Sequence, residues 1–219
     1  MAELPKLSGP ELPPQGGGKP KHLVFLLHGV GADGNDLFGL APYLQRAAPE
    51  AHFISPNAPY RFDMAPFGYQ WFSLKDFSMK NREEGVKQAA PILDAFIDEQ
   101  LDRFGLEEKN LVLIGFSQGT MVSLYVGPRR AKQLAGIIGY SGMLVHEEAL
   151  KTEIKSKPPI LLTHGELDEV LPPACLPHAV AGLEAAGLTV EHQMRPNLPH
   201  GIDDVCIQLG QAFLKKVLA

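Results

Sequence analysis

Ser117 lies in Gly115-Phe116-Ser117-Gln118-Gly119, directly after the apolar run 111–114 and before a stretch with helical spacing. A serine hydroxyl is a weak nucleophile at neutral pH. It needs a base beside it and donors for the negative charge that its attack creates. A sharp strand-to-helix turn helps with both. It lifts the hydroxyl clear of the sheet and aims the first helical N–H, that of Gln118, toward a developing oxyanion. The turn also crowds the positions two before and two after the serine, so both call for glycine. Without chemistry, the same five residues are a glycine-rich βα turn.

The base must come from eight histidines. His200 lies in Asn197-Leu198-Pro199-His200-Gly201, after the last strand-like run and before the final helix. Among the histidines beyond the serine, it alone occupies a loop at the carboxyl end of a strand. His28 and His164 each close a strand just before a glycine and are expected to support loops by hydrogen bonding. His192 alternates with Val190 and Met194 and reads as a core residue.

An acid that orients the base falls between serine and histidine in chain order in folds with this elbow. Asp168 fits, in the loop Thr163-His164-Gly165-Glu166-Leu167-Asp168-Glu169-Val170-Leu171-Pro172. Glu166 and Glu169 compete with it. Asp203 and Asp204 read as charges in the first turn of the last helix. A second oxyanion donor is expected from His28-Gly29-Val30-Gly31, whose glycines let the backbone approach a carbonyl; the Val30 N–H is the choice. A simple tight turn is the alternative.

These residues are positioned by an alternation of strands and helices. Strands are predicted at 23–27, 52–55, 111–114, 134–140, 160–163 and 189–194. Helices are predicted from Asn35 or Asp36 through Leu44, from Asn81 with Glu84 through Phe104, over 118–126 and 174–186, and from Ile202 onward. Pro91 should kink the second of these. The pattern gives an α/β fold with a mainly parallel sheet and helices on both faces. Residues 1–20, rich in Pro and Gly, read as a flexible arm with one short edge strand near Leu7, and 21–219 as a single domain.

A 219-residue chain at 45% hydrophobic and 21% charged buries a core without disulfide staples. The net charge of −5 carries no basic stripe, which argues against nucleic acid. Cys175 and Cys206 read as two reduced thiols. No apolar run has signal-peptide or membrane-spanning length, so stable membrane insertion is not expected and a cytoplasmic location is. No His/Cys/Asp cluster has ligand spacing, and neither a metal nor another cofactor is expected.

Taken together, 27–37 (Leu-His-Gly-Val-Gly-Ala-Asp-Gly-Asn-Asp-Leu), Pro56-Asn57-Ala58-Pro59, Gln70-Trp71-Phe72-Ser73-Leu74, the elbow, and His164-Gly165-x-x-Asp168-x-Val170-Leu171-Pro172 resemble the phospholipase/carboxylesterase family. The similarity spans about 20–218 and is nearest to the bacterial carboxylesterases, which share the family with acyl-protein thioesterases. The resemblance implies an α/β-hydrolase fold without a cap domain and without metal, and often a homodimer. It implies a nucleophile, acid and base at Ser117, Asp168 and His200, with oxyanion donors at Val30 and Gln118. Leu198-Pro199 departs from the family, which often has Gly before the histidine.

The expected substrate is a small-molecule ester of small or medium acyl length. Thioester or lysophospholipid hydrolysis by the same machinery is the alternative, and a non-catalytic binding protein a remote one. Seven of the seventeen Phe, Tyr and Trp side chains fall within 60–77. They read equally as core or as an acyl groove; the resemblance favours Trp71 and Leu171 lining the groove.

Overall fold

The computed structural model describes residues 4–219. Seven strands form the main sheet in the order β1-β3-β2-β6-β7-β8-β9. These are β1 (Glu11–Leu12), β2 (His22–Leu27), β3 (Ala51–Ile54), β6 (Leu111–Phe116), β7 (Gly136–Tyr140), β8 (Ile160–Gly165) and β9 (Val190–Arg195). All pairings are parallel except β1 with β3. A two-stranded hairpin, β4 (Tyr60–Arg61) with β5 (Tyr69–Gln70), stands apart from the sheet. The helices are α1 (Gly34–Phe38), α2 (Ala41–Gln45), α3 (Met79–Phe104), α4 (Gln118–Val126), α5 (Glu147–Glu153), α6 (Cys175–Ala185) and α7 (Asp204–Val217). This is the α/β-hydrolase architecture expected, with helices on both faces.

The continuous apolar run in β2 is explained by burial on both sides. Leu23, Phe25 and Leu27 join one core with α3, α4 and α6. Val24 and Leu26 join the other with α1, α2 and α7. Alternation along a strand divides the residues this way, and each fully buried side chain contributes about 1.5–3 kcal/mol. Every residue of α4 is buried, so the helix that starts after Ser117 is held firmly.

Several local expectations change. Asp33 caps α1, accepting from the Asn35 and Asp36 N–H groups, and Pro42 sits in the first turn of a separate helix α2. Ser78 caps α3, accepting from the Asn81 N–H; the Asn81 amide instead donates to the Ser73 and Asp76 carbonyls. The helix runs unbroken through Pro91. His192 is exposed rather than core, because β9 is the edge strand. The segment expected as a flexible arm is docked over much of its described length: Leu7 is buried, Pro10 accepts from the Ser55 N–H at 3.0 Å, and β1 extends the sheet. Glu11 fixes it further through Arg103 at 2.8 Å and His52 at 2.7 Å.

Candidate active site

The elbow has the geometry that its glycines imply. Ser117 has φ 52° and ψ −112°, left-handed backbone that a serine rarely adopts. It is held by its N–H donating to the Tyr140 carbonyl at 2.9 Å. A Cβ on Gly115 would run into the Gly119 backbone, and one on Gly119 into the Leu27 carbonyl. Ser117 is 5% exposed.

Asp168 and His200 are brought together across two loops. The His200 Nδ1–H donates to Asp168 Oδ2 at 2.7 Å. That proton placement leaves Nε2 as an acceptor, the form a general base requires. Asp168 Oδ1 accepts from the N–H groups of Val170 and Leu171 at 2.9 and 2.8 Å. The carboxylate is buried, and these donors hold its orientation. The competing acids Glu166 and Glu169 are exposed, and the carboxylate that pairs with His200 is that of Asp168. The Ser117 hydroxyl has no hydrogen-bond partner among the described residues. Catalytic hydrogen bonds are often long before substrate arrives. The His200 ring packs against Phe116, the residue before Ser117, at 4.9 Å between centroids.

The histidine loop is clasped at both ends. Glu166 N–H donates to the Arg195 carbonyl and Leu167 N–H to the Leu198 carbonyl, both at 2.9 Å, joining it to the acid loop. Arg195 bridges to Asp203, the N-cap of α7, at 3.0 Å. Burial alone would raise the Asp203 carboxyl, but Arg195 and the Cys206 N–H hold it at about 2. The Leu198 carbonyl, at the position where the sequence departs from the family, is thus part of the clasp.

His164 was expected only to support a loop, and it does so beside the acid. Its buried Nε2–H donates to the Leu171 carbonyl at 2.9 Å and reaches Asp168 Oδ2 at 3.1 Å. The expected result of His164→Leu is a loss of about 1–3 kcal/mol in a urea melt, because buried acceptors lose their donor. His164→Gln keeps a donor at similar reach and should lose clearly less. Equal losses for the two would refute this role.

The loop 28–32 and the segment 69–72 hold one another. Gly31, at φ 82°, donates its N–H to the Tyr69 carbonyl at 2.8 Å, and Tyr69 N–H donates to Ala32 at 2.7 Å. His28 is wholly buried, its Nδ1–H donating to Gly29 at 2.7 Å and its Nε2 accepting from Ala58 N–H at 2.9 Å. Burial pushes its pKa down, against the pull of the Gly29 carbonyl, which keeps the ring neutral as this pattern requires. Among the described residues, neither the Val30 nor the Gln118 N–H has an acceptor within the chain.

The expectation that Trp71 and Leu171 line an open groove is corrected by their burial. Trp71 is 0% exposed and Leu171 5%, and both belong to the core. The Trp71 indole donates to the His28 carbonyl at 3.0 Å, and its backbone N–H donates to the Gln118 side-chain oxygen at 2.7 Å. Gln118 also donates to the Phe72 carbonyl at 2.8 Å. Trp71 therefore ties the Gln118 side to the 28–32 side. The apolar side chains left open lie elsewhere on the same loops: Met64, Phe67 and Phe77 after β3, Leu167 and Val170 after β8. Their exposure has no signature in a single sequence.

Comparison with known proteins places this geometry. The sequence profile described as Phospholipase/Carboxylesterase matches residues 14–218. The chain belongs to that family. It is a serine hydrolase fold with close structural company: the crystal structure of esterase PE8 superposes with a TM-score of 0.93 at 40% identity, over 97% of this chain and 100% of that one. Acyl-protein thioesterase 1 of Aspergillus fumigatus is 31% identical over 89% of this chain and 87% of its own. The protein of the same name from Kluyveromyces lactis is 32% identical over 69% and 72%. No described helix is long and apolar enough to cross a membrane.

Proposed function

We propose that Ser117, His200 and Asp168 form the catalytic triad of a carboxylesterase, within one domain that takes in the β1 segment as well as 21–219. The observation that carries the reading is the 2.7 Å bond from His200 to a buried, four-donor Asp168, with the His200 ring packed on Phe116, the residue before a serine on a left-handed elbow. His200 Nε2 takes the Ser117 proton as Oγ attacks the ester carbonyl. The oxyanion is received by the free N–H groups of Val30 and Gln118. His200 then protonates the leaving alcohol, and water, activated by the same nitrogen, releases the acid from Ser117. Met64, Phe67, Leu167 and Val170 offer the acyl chain an open apolar surface, which suits small and medium chains.

Thioester hydrolysis is the second reading, favoured by the naming of the fungal relatives. Steady-state rates on matched oxyester and thioester pairs, from acetyl to decanoyl, decide between them. We expect turnover of both, with the optimum below decanoyl for the oxyesters. A preference for thioesters beyond their greater intrinsic reactivity, rising to the longest chains, would replace the first reading with the second.

A further inference from the structure

A dent of about 250 Å³ opens beside the candidate site, on the sheet face covered by α1, α2 and α7. Asp36, Leu37, Leu40, Phe116, Gly201 and Ile202 line it. Two of these tie it to the chemistry. Phe116 immediately precedes Ser117 and packs on the His200 ring. Gly201 immediately follows His200. A Cβ on Gly29 would touch the Phe116 ring at 3.1 Å and Ser117 Cβ at 3.3 Å, so this ring also borders the nucleophile and the loop of Val30.

The order of events in acyl transfer gives the two halves of an ester different places. The carbonyl oxygen turns to the oxyanion donors. The leaving oxygen must meet His200 Nε2, because that nitrogen delivers its proton. The alcohol half therefore departs on the histidine side, and the acyl half takes the remaining direction. The dent lies on the histidine side, walled by the residues next to His200 in sequence and space.

We propose that this dent is the subsite for the alcohol half of the substrate and that it takes apolar alcohols that are neutral or cationic. The assignment rests on the triad proposed above. Leu37, Leu40, Phe116 and Ile202 give it apolar walls. Its volume falls just under the roughly 300–1,000 Å³ of whole-ligand sites, a size for one half of a substrate. Asp36 is its one charged lining residue, and no lining residue is basic. An alcohol carrying a phosphate near the ester would meet this carboxylate with like charge, which counts against lysophospholipids.

The test compares alcohols at constant acetyl. Leu40→Trp fills the dent and should lower the ratio of kcat/KM for benzyl acetate to that for methyl acetate at least about tenfold, since apolar contact area is lost. Asp36→Asn leaves the walls in place. It should lower the ratio of acetylcholine to its carbon isostere, with tert-butyl in place of trimethylammonium, about threefold, as for an exposed ion pair. The effect should fade at high salt. If Leu40→Trp is too unstable to assay, Asp36→Asn and Ile202→Trp carry the same comparison. Unchanged ratios in folded variants would overturn the subsite. So would a penalty that follows acyl length at constant alcohol. Labelling of the wild type by a fluorophosphonate tests the triad separately: no labelling would sink the triad, while labelling with unchanged ratios would sink the subsite alone.

Discussion

Ser117→Ala is expected to lower ester hydrolysis by about three decades or more, because covalent attack is lost and only binding and oxyanion contributions remain. The fold should be unaffected. Alanine keeps the Cβ, so the left-handed backbone at φ 52° carries the same strain, and no hydrogen bond of the Ser117 hydroxyl is there to lose. Ser117→Gly separates chemistry from strain. It should be equally inactive, yet melt at or above the wild type, since glycine adopts this backbone without penalty. The measurements are kcat/KM on a p-nitrophenyl ester, fluorophosphonate labelling and a denaturant midpoint. More than a tenth of wild-type turnover in pure, folded Ser117→Ala would end the nucleophile assignment.

The parts of the fold that the sequence made legible are those where one physical rule dominates. A five-residue apolar run between turn residues has few outcomes other than a strand buried on both faces, and β2 is one. The glycines around Ser117 leave little choice because a Cβ at either would strike backbone. Asp168 stood out through chain order, and the loop hydrogen bonds from Val170 and Leu171 show why that position holds a carboxylate in place.

What stayed hidden depends on contacts between distant segments. The capping residues were displaced because Asp33 and Ser78 compete with equally good caps a few positions on, and only the approach of the chain decides. The Pro- and Gly-rich arm has no apolar period to fix its docking: Leu7 joins the core, and the edge strand forms at Glu11–Leu12 rather than near Leu7. The double contact of His164 with Leu171 and Asp168 needs the acid loop to fold back on its own strand. No spacing rule announces that.

Trp71 is the largest such case. In an irregular segment dense with aromatic rings, periodicity cannot tell a core ring from a groove ring. Its complete burial and its indole bond to the His28 carbonyl give it a positioning role. Trp71→Ala should cost about 3–5 kcal/mol of stability through the cavity it opens. Trp71→Phe fills most of that space but strands the buried His28 carbonyl, which should cost about 1–3 kcal/mol. The His28 carbonyl anchors the loop that presents the Val30 N–H, so the Phe variant should also lose activity. Removing an oxyanion donor outright costs about 10²–10³ in kcat, which bounds the effect; a displaced donor should cost on the order of tenfold. The loss should fall on kcat rather than KM, because the donor acts on charge that develops in the transition state. It should also be the same from acetate to octanoate. A groove residue would behave differently, with a penalty growing by up to about 0.8 kcal/mol for each methylene that lost its contact. A length-dependent penalty in folded Trp71→Phe, or full activity with a normal melt, would show that Trp71 does not hold the two sides of the site together.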